Sequence, residues 1–244
     1  MRAIRFVMAG LLVTGLVVMA EAQQRGGFGG GFGQGPAQLV VNETVQKDLK
    51  LTEEQIEKVK TWQKDFQAKQ FEGFAALKDL SKEERMEKMP AIFAESRKTA
   101  YKDLAGVLKP EQVDRLKQIE RQALGVQAFS DADTVAALKL TDSQKSKIKA
   151  ITEEYQKDVR EAGGGFGGGK GGGGKGGFDK EKMAESAAKR EKITKSALAD
   201  IDEALTADQR KTWKDLTGEV IDRSKLAPTF GGGFGKGKNK AKDN

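Results

Sequence analysis

"LKLTEEQIEKVKTW" occupies residues 49–62 and "LKLTDSQKSKIKAI" occupies residues 138–151, so nearly the same phrase is written twice, 89 residues apart. In each copy a threonine stands three residues before a glutamine, Thr52 before Gln55 and Thr141 before Gln144, at the head of an apolar run. That is a capping box. The threonine oxygen accepts from the backbone N–H three residues on, and the glutamine side chain reaches back to the N–H of the cap. The phrase reads as a device that starts a helix, not as a ligand site.

A second phrase recurs further along, "LKPEQVDRL" from Leu108 and "LTADQRKTW" from Leu205, 97 residues apart. Thr206 with Gln209 makes a third box. At the fourth site Lys109 replaces threonine, but Pro110 is pre-set for the first helical position and Gln112 keeps its place. Leu51, Leu108, Leu140 and Leu205 precede the four caps. Leu51 can staple to Ile56 and Leu108 to Val113, whereas Lys145 and Arg210 offer only aliphatic stems.

The apolar spacing behind the boxes is helical, with Ile56, Val59, Trp62 and Phe66 in one copy and Ile148, Ile151, Tyr155 and Val159 in the other. An offset of 89 superimposes Val59 on Ile148, Trp62 on Ile151 and Phe66 on Tyr155, so the apolar stripe repeats with the phrase. The body is rich in Lys, Glu, Ala, Leu and Gln, which favours helix throughout. Ser81 with Glu84 predicts another box opening a long helix toward Leu108, which Pro90 should kink or break. Residues 179–205 repeat that helix, with Tyr101 matched by Leu198 and Leu104 by Ile201. Shorter helices then run from Pro110 to about Leu124 and from Ala207 to about Ser224, and short openers span Asn42–Leu49 and Asp131–Leu138. The expected fold is all-α: duplicated long antiparallel hairpins with short flanking helices, one half at 39–125 and the other at 126–226. Two arrangements stay open, a pseudo-twofold cradle formed by the two halves and separate hairpins joined by "GVQAFS".

Residues 1–22 carry Arg2 and Arg5, then an apolar run and "AEA", the pattern of a secretory signal cleaved near Ala22. The run is shorter than a spanning helix requires. Three glycine-rich segments offer too little apolar surface to offset the cost of ordering glycine. They read as a disordered leader (23–38), a loop (163–178) and a basic tail (227–244).

The chain has 244 residues, no cysteine, no histidine and a formal net charge of +7. Disulfides are impossible, and the commonest general base and the soft metal ligands are missing. Basic and acidic residues are equal in number over 42–162 and again over 179–230, so the excess charge sits in the signal and the glycine segments. That argues against specific nucleic-acid binding, although the lysine tail can touch a polyanion or an anionic membrane surface at low salt. Glu53 with Glu54 and Glu153 with Glu154 suit helix starts and solvated faces rather than catalysis. The leader "GGFGGGFG" lacks the lysine ending and preceding strand of a phosphate loop. No catalytic, cofactor or metal residue is assigned.

The phrases "LKLTEEQ", "LKLTDSQ" and "LTADQRKTW", each opening a helix behind an export signal, resemble the LTxxQ motif of the Spy/CpxP family of periplasmic helical proteins, here as two fused halves. The resemblance implies an ATP-independent chaperone or envelope-stress protein, periplasmic or secreted, whose partners are unfolded or partly folded proteins. It also implies a dimer-like cradle, which this chain can make as a monomer from its own halves or as a homodimer. Phe71, Phe74, Met86, Met89 and Phe93 surround the turn of the first hairpin. Burial there is the expected role, and contact with clients is the functional one. Trp62 and Trp213 read as core anchors. The alternative function is a scaffold attached through the Phe- and Lys-bearing glycine segments.

Overall fold

A computed structural model describes residues 35–75, 77, 79–162 and 180–226. The segments expected to be signal, glycine loop and tail, and most of the expected leader, lie outside the described residues. Those described are all-α, with no strand among them. The helices are α1 (Pro36–Leu39), α2 (Glu43–Asp48), α3 (Glu53–Ala75), α4 (Lys82–Leu104) and α5 (Pro110–Leu124), then α6 (Ala132–Leu138), α7 (Asp142–Ala162), α8 (Lys180–Ala204) and α9 (Ala207–Thr217). One 3-10 turn covers Gly125–Ser130 and another Arg223–Lys225.

The helix starts follow the local chemistry of the sequence. Gln55, Gln144 and Gln209 each take a bond from the N–H of their threonine cap and each return a backbone N–H to its hydroxyl, at 2.9–3.2 Å. Ser81 and Glu84 do the same at α4. Lysine has no acceptor, so at α5 only the bond from the cap's own N–H forms, from Lys109 to Gln112 Oε1 at 2.9 Å. Lys50 and Lys139, the lysines of the repeated "LKL", have φ of 51° and 49°. Their left-handed backbone ends α2 and α6, and Leu51 and Leu140 N–H groups then reach back to the Gln46 and Val135 carbonyls.

Two cores result. The first gathers Val40, Val45, Leu49, Val59, Leu104, Leu108, Leu116 and Ile119; the second gathers Phe129, Leu138, Leu140, Ile148, Ile201 and Leu205. Several positions correspond at the sequence offsets, including Val40 with Phe129, Val59 with Ile148, Leu104 with Ile201 and Leu108 with Leu205. The hairpins differ. α7 and α8 run side by side along their length, whereas α3 and α4, among the described residues, meet chiefly around Trp62, Phe66, Ala100 and Leu104.

Several expectations need correction. Pro36 and Ala37, at the end of the presumed leader, belong to α1 and are buried against α3, α4 and α5. "GVQAFS" is no bare connector, because Val126, Ala128 and Phe129 are buried and pack the turn against α6, α7 and α8. α4 continues through Pro90 without a break. α9 stops at Thr217, seven residues early, because Gly218 turns to φ 62°. The segment after it belongs to the other half: Ile221 and Leu226 are 5% and 4% exposed in the first core.

Candidate functional site

The four glutamines of the capping phrases do more than cap. Gln55 and Gln112 face each other, with Gln55 Nε2 donating to Gln112 Oε1 at 2.8 Å and Gln112 Nε2 donating to Gln55 Oε1 at 3.2 Å. Each amide spends its other N–H on a carbonyl at or just past the end of a neighbouring helix, Gln55 on Val107 in the turn after α4 at 3.1 Å and Gln112 on Leu49 at the end of α2 at 3.1 Å. In the second half Gln144 and Gln209 exchange bonds of 2.6 and 3.0 Å and donate to the Ala204 and Leu138 carbonyls. An amide offers two donors and two acceptor positions, and here all are used. Each side chain thus starts its own helix and satisfies an orphan carbonyl at the end of another. Glutamate would serve the capping box as well but could donate neither outer bond. The arrangement is saturated and holds structure, not substrate.

Leu51, Leu108, Leu140 and Leu205 sit beside these clasps, with Leu108 and Leu205 only 5% and 4% exposed. Thr52, Thr141 and Thr206 are at the surface, and Pro110 opens α5. The sequence reading placed all these residues at helix starts but did not bring the glutamines together. The signal was present, since glutamine occupies the third position at all four sites.

A polar seam joins the halves where α5 passes the end of α9. Gln118, Arg121 and Gln122 donate to the carbonyls of Asp215, Leu216 and Thr217 at 3.3, 3.2 and 2.7 Å, which are groups the end of α9 leaves unpaired. Arg115 donates to Glu219 O at 2.9 Å and pairs with Asp48 at 2.6 Å. Gln122 also accepts from the Ile221 N–H at 2.9 Å.

Above this seam lies a charged cluster that was not anticipated. Glu120 is 1% exposed and accepts from Arg97 Nε at 2.9 Å and from the Tyr101 hydroxyl at 2.7 Å. Arg97 also pairs with Asp131, the cap of α6, so one arginine bridges both halves. Burial lifts the Glu120 carboxyl above the usual glutamate range despite Arg97. Burial and then the Glu120 charge raise the Tyr101 hydroxyl well above its ordinary value. Burial works against the Arg97 charge, but Glu120 and Asp131 outweigh it and raise its pKa.

The proposed contact residues divide. Phe71 is 51% exposed, while Met89 and Phe93 are half-buried on α4. Phe74 lies on α3 and Met86 on α4, and their side chains fall outside those described. Trp62 stacks on Phe66 with centroids 4.9 Å apart and donates to Asp103 at 3.1 Å; Trp213 stacks on Phe129 at 4.2 Å. Among the described residues no group of three or more acidic, His or Cys side chains could hold a metal, and no helix is long and apolar enough to cross a membrane. In comparisons with known proteins the chain matches no family model, no curated protein and no solved structure at a significant level.

Proposed function

We propose that this chain is an exported, ATP-independent chaperone-like or envelope-stress protein that holds exposed apolar segments of partly unfolded clients. The observation that carries the reading is the first hairpin. One buried cluster of this hairpin gathers around Phe66 and Ala100 and Leu77 is buried at the far turn, while between them Phe71 stands half in water and Met89 and Phe93 are half-buried among lysines and glutamates. Exposed aromatic and methionine side chains flanked by charge can receive varied apolar segments without one fixed geometry. The export signal supports placement in the periplasm or outside the cell.

The test is light scattering of a denatured client diluted into the purified protein without nucleotide. Suppressed aggregation is expected, together with its loss in a Phe71→Ser, Met89→Ser, Phe93→Ser variant that retains its helicity. Unchanged aggregation at several-fold excess of the protein removes the reading. Suppression that disappears when the glycine segments alone are deleted favours a scaffold attached through those segments instead.

A further inference from the structure

A groove of about 480 Å3 runs along the seam between the halves, walled by α5, the 125–130 turn, α8, α9 and the segment after α9. Phe129, Leu198, Trp213 and Val220 supply its apolar lining, and Arg121 and Arg223 supply positive charge. Val220 is 86% exposed on a surface backed by the Phe129–Trp213 stack, so covering it releases water from an apolar patch. Arg121 donates through Nη1 to the Leu216 carbonyl, while its buried Nε meets no acceptor among the described residues. A buried donor without a partner is uncommon and costly. Arg223 Nη2 would stand 3.0 Å from a Cβ at Gly125, so the absence of a side chain there lets the second guanidinium lie close against the end of α5. Asp202 also lines the groove, but it faces Arg210 at 3.9 Å, and the α5 wall remains positive.

We infer that this groove is a binding site for a short peptide segment in which an apolar side chain stands next to a carboxylate, the side chain covering Val220 and Trp213 and the carboxylate accepting from Arg121 and Arg223. The volume lies within the range of about 300–1,000 Å3 usual for small-ligand clefts, which suits a few residues and not a folded partner. Charge complementarity selects this occupant over the chain's own tail, whose four lysines against the single Asp243 would bring net positive charge to two arginines. That the segment belongs to an unfolded client rests on the function proposed above; the groove and its charge do not.

Calorimetric titration of the full chain with acetyl-Gly-Leu-Phe-Glu-amide and acetyl-Gly-Leu-Phe-Gln-amide tests the inference. The tryptophan emission of a Trp62→Phe variant, in which Trp213 alone reports, gives an independent readout. The glutamate peptide should saturate, shift Trp213 emission and bind at least about tenfold more tightly than the glutamine peptide, as expected for charge-assisted bonds. Arg223→Gln, and separately Arg121→Gln, should erase that difference. Four results overturn the site: no binding, equal binding of the two peptides, binding seen only after removal of residues 227–244, or decanoate binding that the peptide cannot displace. Absence of peptide binding by a chain that still suppresses aggregation overturns the groove alone. Peptide binding by a chain that suppresses nothing supports the groove and removes the chaperone reading.

Discussion

At the base of the first half, Gln55 and Gln112 join two helix starts to the ends of α2 and α4; at the base of the second, Gln144 and Gln209 make the corresponding bonds to α6 and α8. Away from these bases the halves diverge. The first core takes in Ile221 and Leu226 from the far end of the chain, while the second is filled by its own Phe129, Trp213 and Leu216. The first carries the buried Arg97–Tyr101–Glu120 cluster, whereas at an offset of 97 the second has Thr194, Leu198 and Thr217. The contrast separates what a helix start requires from what a core accepts. Hydrogen-bond geometry at the clasp admits one solution, but apolar volume can be supplied from any part of the chain that reaches it.

Truncation after Thr217 should break the comparison most strongly. It removes two buried side chains from one core and none from the other, an expected loss of about 3–6 kcal/mol in the first half. Urea unfolding followed by Trp62 in a Trp213→Phe background should shift well below that followed by Trp213 in a Trp62→Phe background. Coincident shifts of equal size would mean that the halves unfold as one and that the segment does not stabilise one of them selectively.

Gln112→Glu and Gln209→Glu each cancel two donated bonds and set a carboxylate against a carbonyl, for an expected cost of about 2–4 kcal/mol. Gln112 is 7% exposed and Gln209 less deeply placed, so the first substitution should cost more in denaturant titrations. A neutral result at either site would mean that the clasp contributes nothing beyond the cap.

Glu120→Gln sharpens the difference between the halves through pH. A raised carboxyl pKa in the folded state means that its contribution is complete below the ordinary glutamate value and is lost as pH rises toward the raised one, because the unfolded chain ionises first. The variant does not titrate at this position, so its stability relative to the parent should improve as pH increases through that window, as measured by urea midpoints. Tyr101 follows the same sign at alkaline pH. In a Tyr155→Phe variant, tyrosinate absorbance should stay silent above the ordinary tyrosine range until the chain unfolds.

The smallest effect belongs to the caps themselves. Thr52→Ala and Thr141→Ala should each cost about 1 kcal/mol, and by similar amounts, because both hydroxyls accept one N–H at 3.2 Å at the surface. Thermal unfolding of the two variants would show whether the repeated phrase is energetically repeated as well.

Much of the helical layout was legible from residue spacing. α5 begins and ends where Pro110 and Leu124 placed it, and the extra length of the second half falls between α7 and α8, where the glycine stretch stands. The end of α9 was not legible, because "KTWKDLTGEVIDRSK" has no strong stop except Gly218. At that position an added Cβ would come 2.2 Å from the Oε1 of Gln118, on a helix distant in sequence. Glu120, within "KQIERQAL", looks like any solvated helix charge until Arg97 and Tyr101 close over it. Phe71, Met89 and Phe93 were picked out by type, but their exposure depends on how α3 and α4 pack.

By itself the amino-acid order determined where helices begin and which stripe of each is apolar, since both depend on groups within one or two turns. Tertiary structure alone decided which carbonyl each glutamine completes, which half receives Ile221 and Leu226, and how strongly Glu120 holds its proton. Those outcomes depend on atoms far apart along the chain, whose burial and separation are set only when the helices pack.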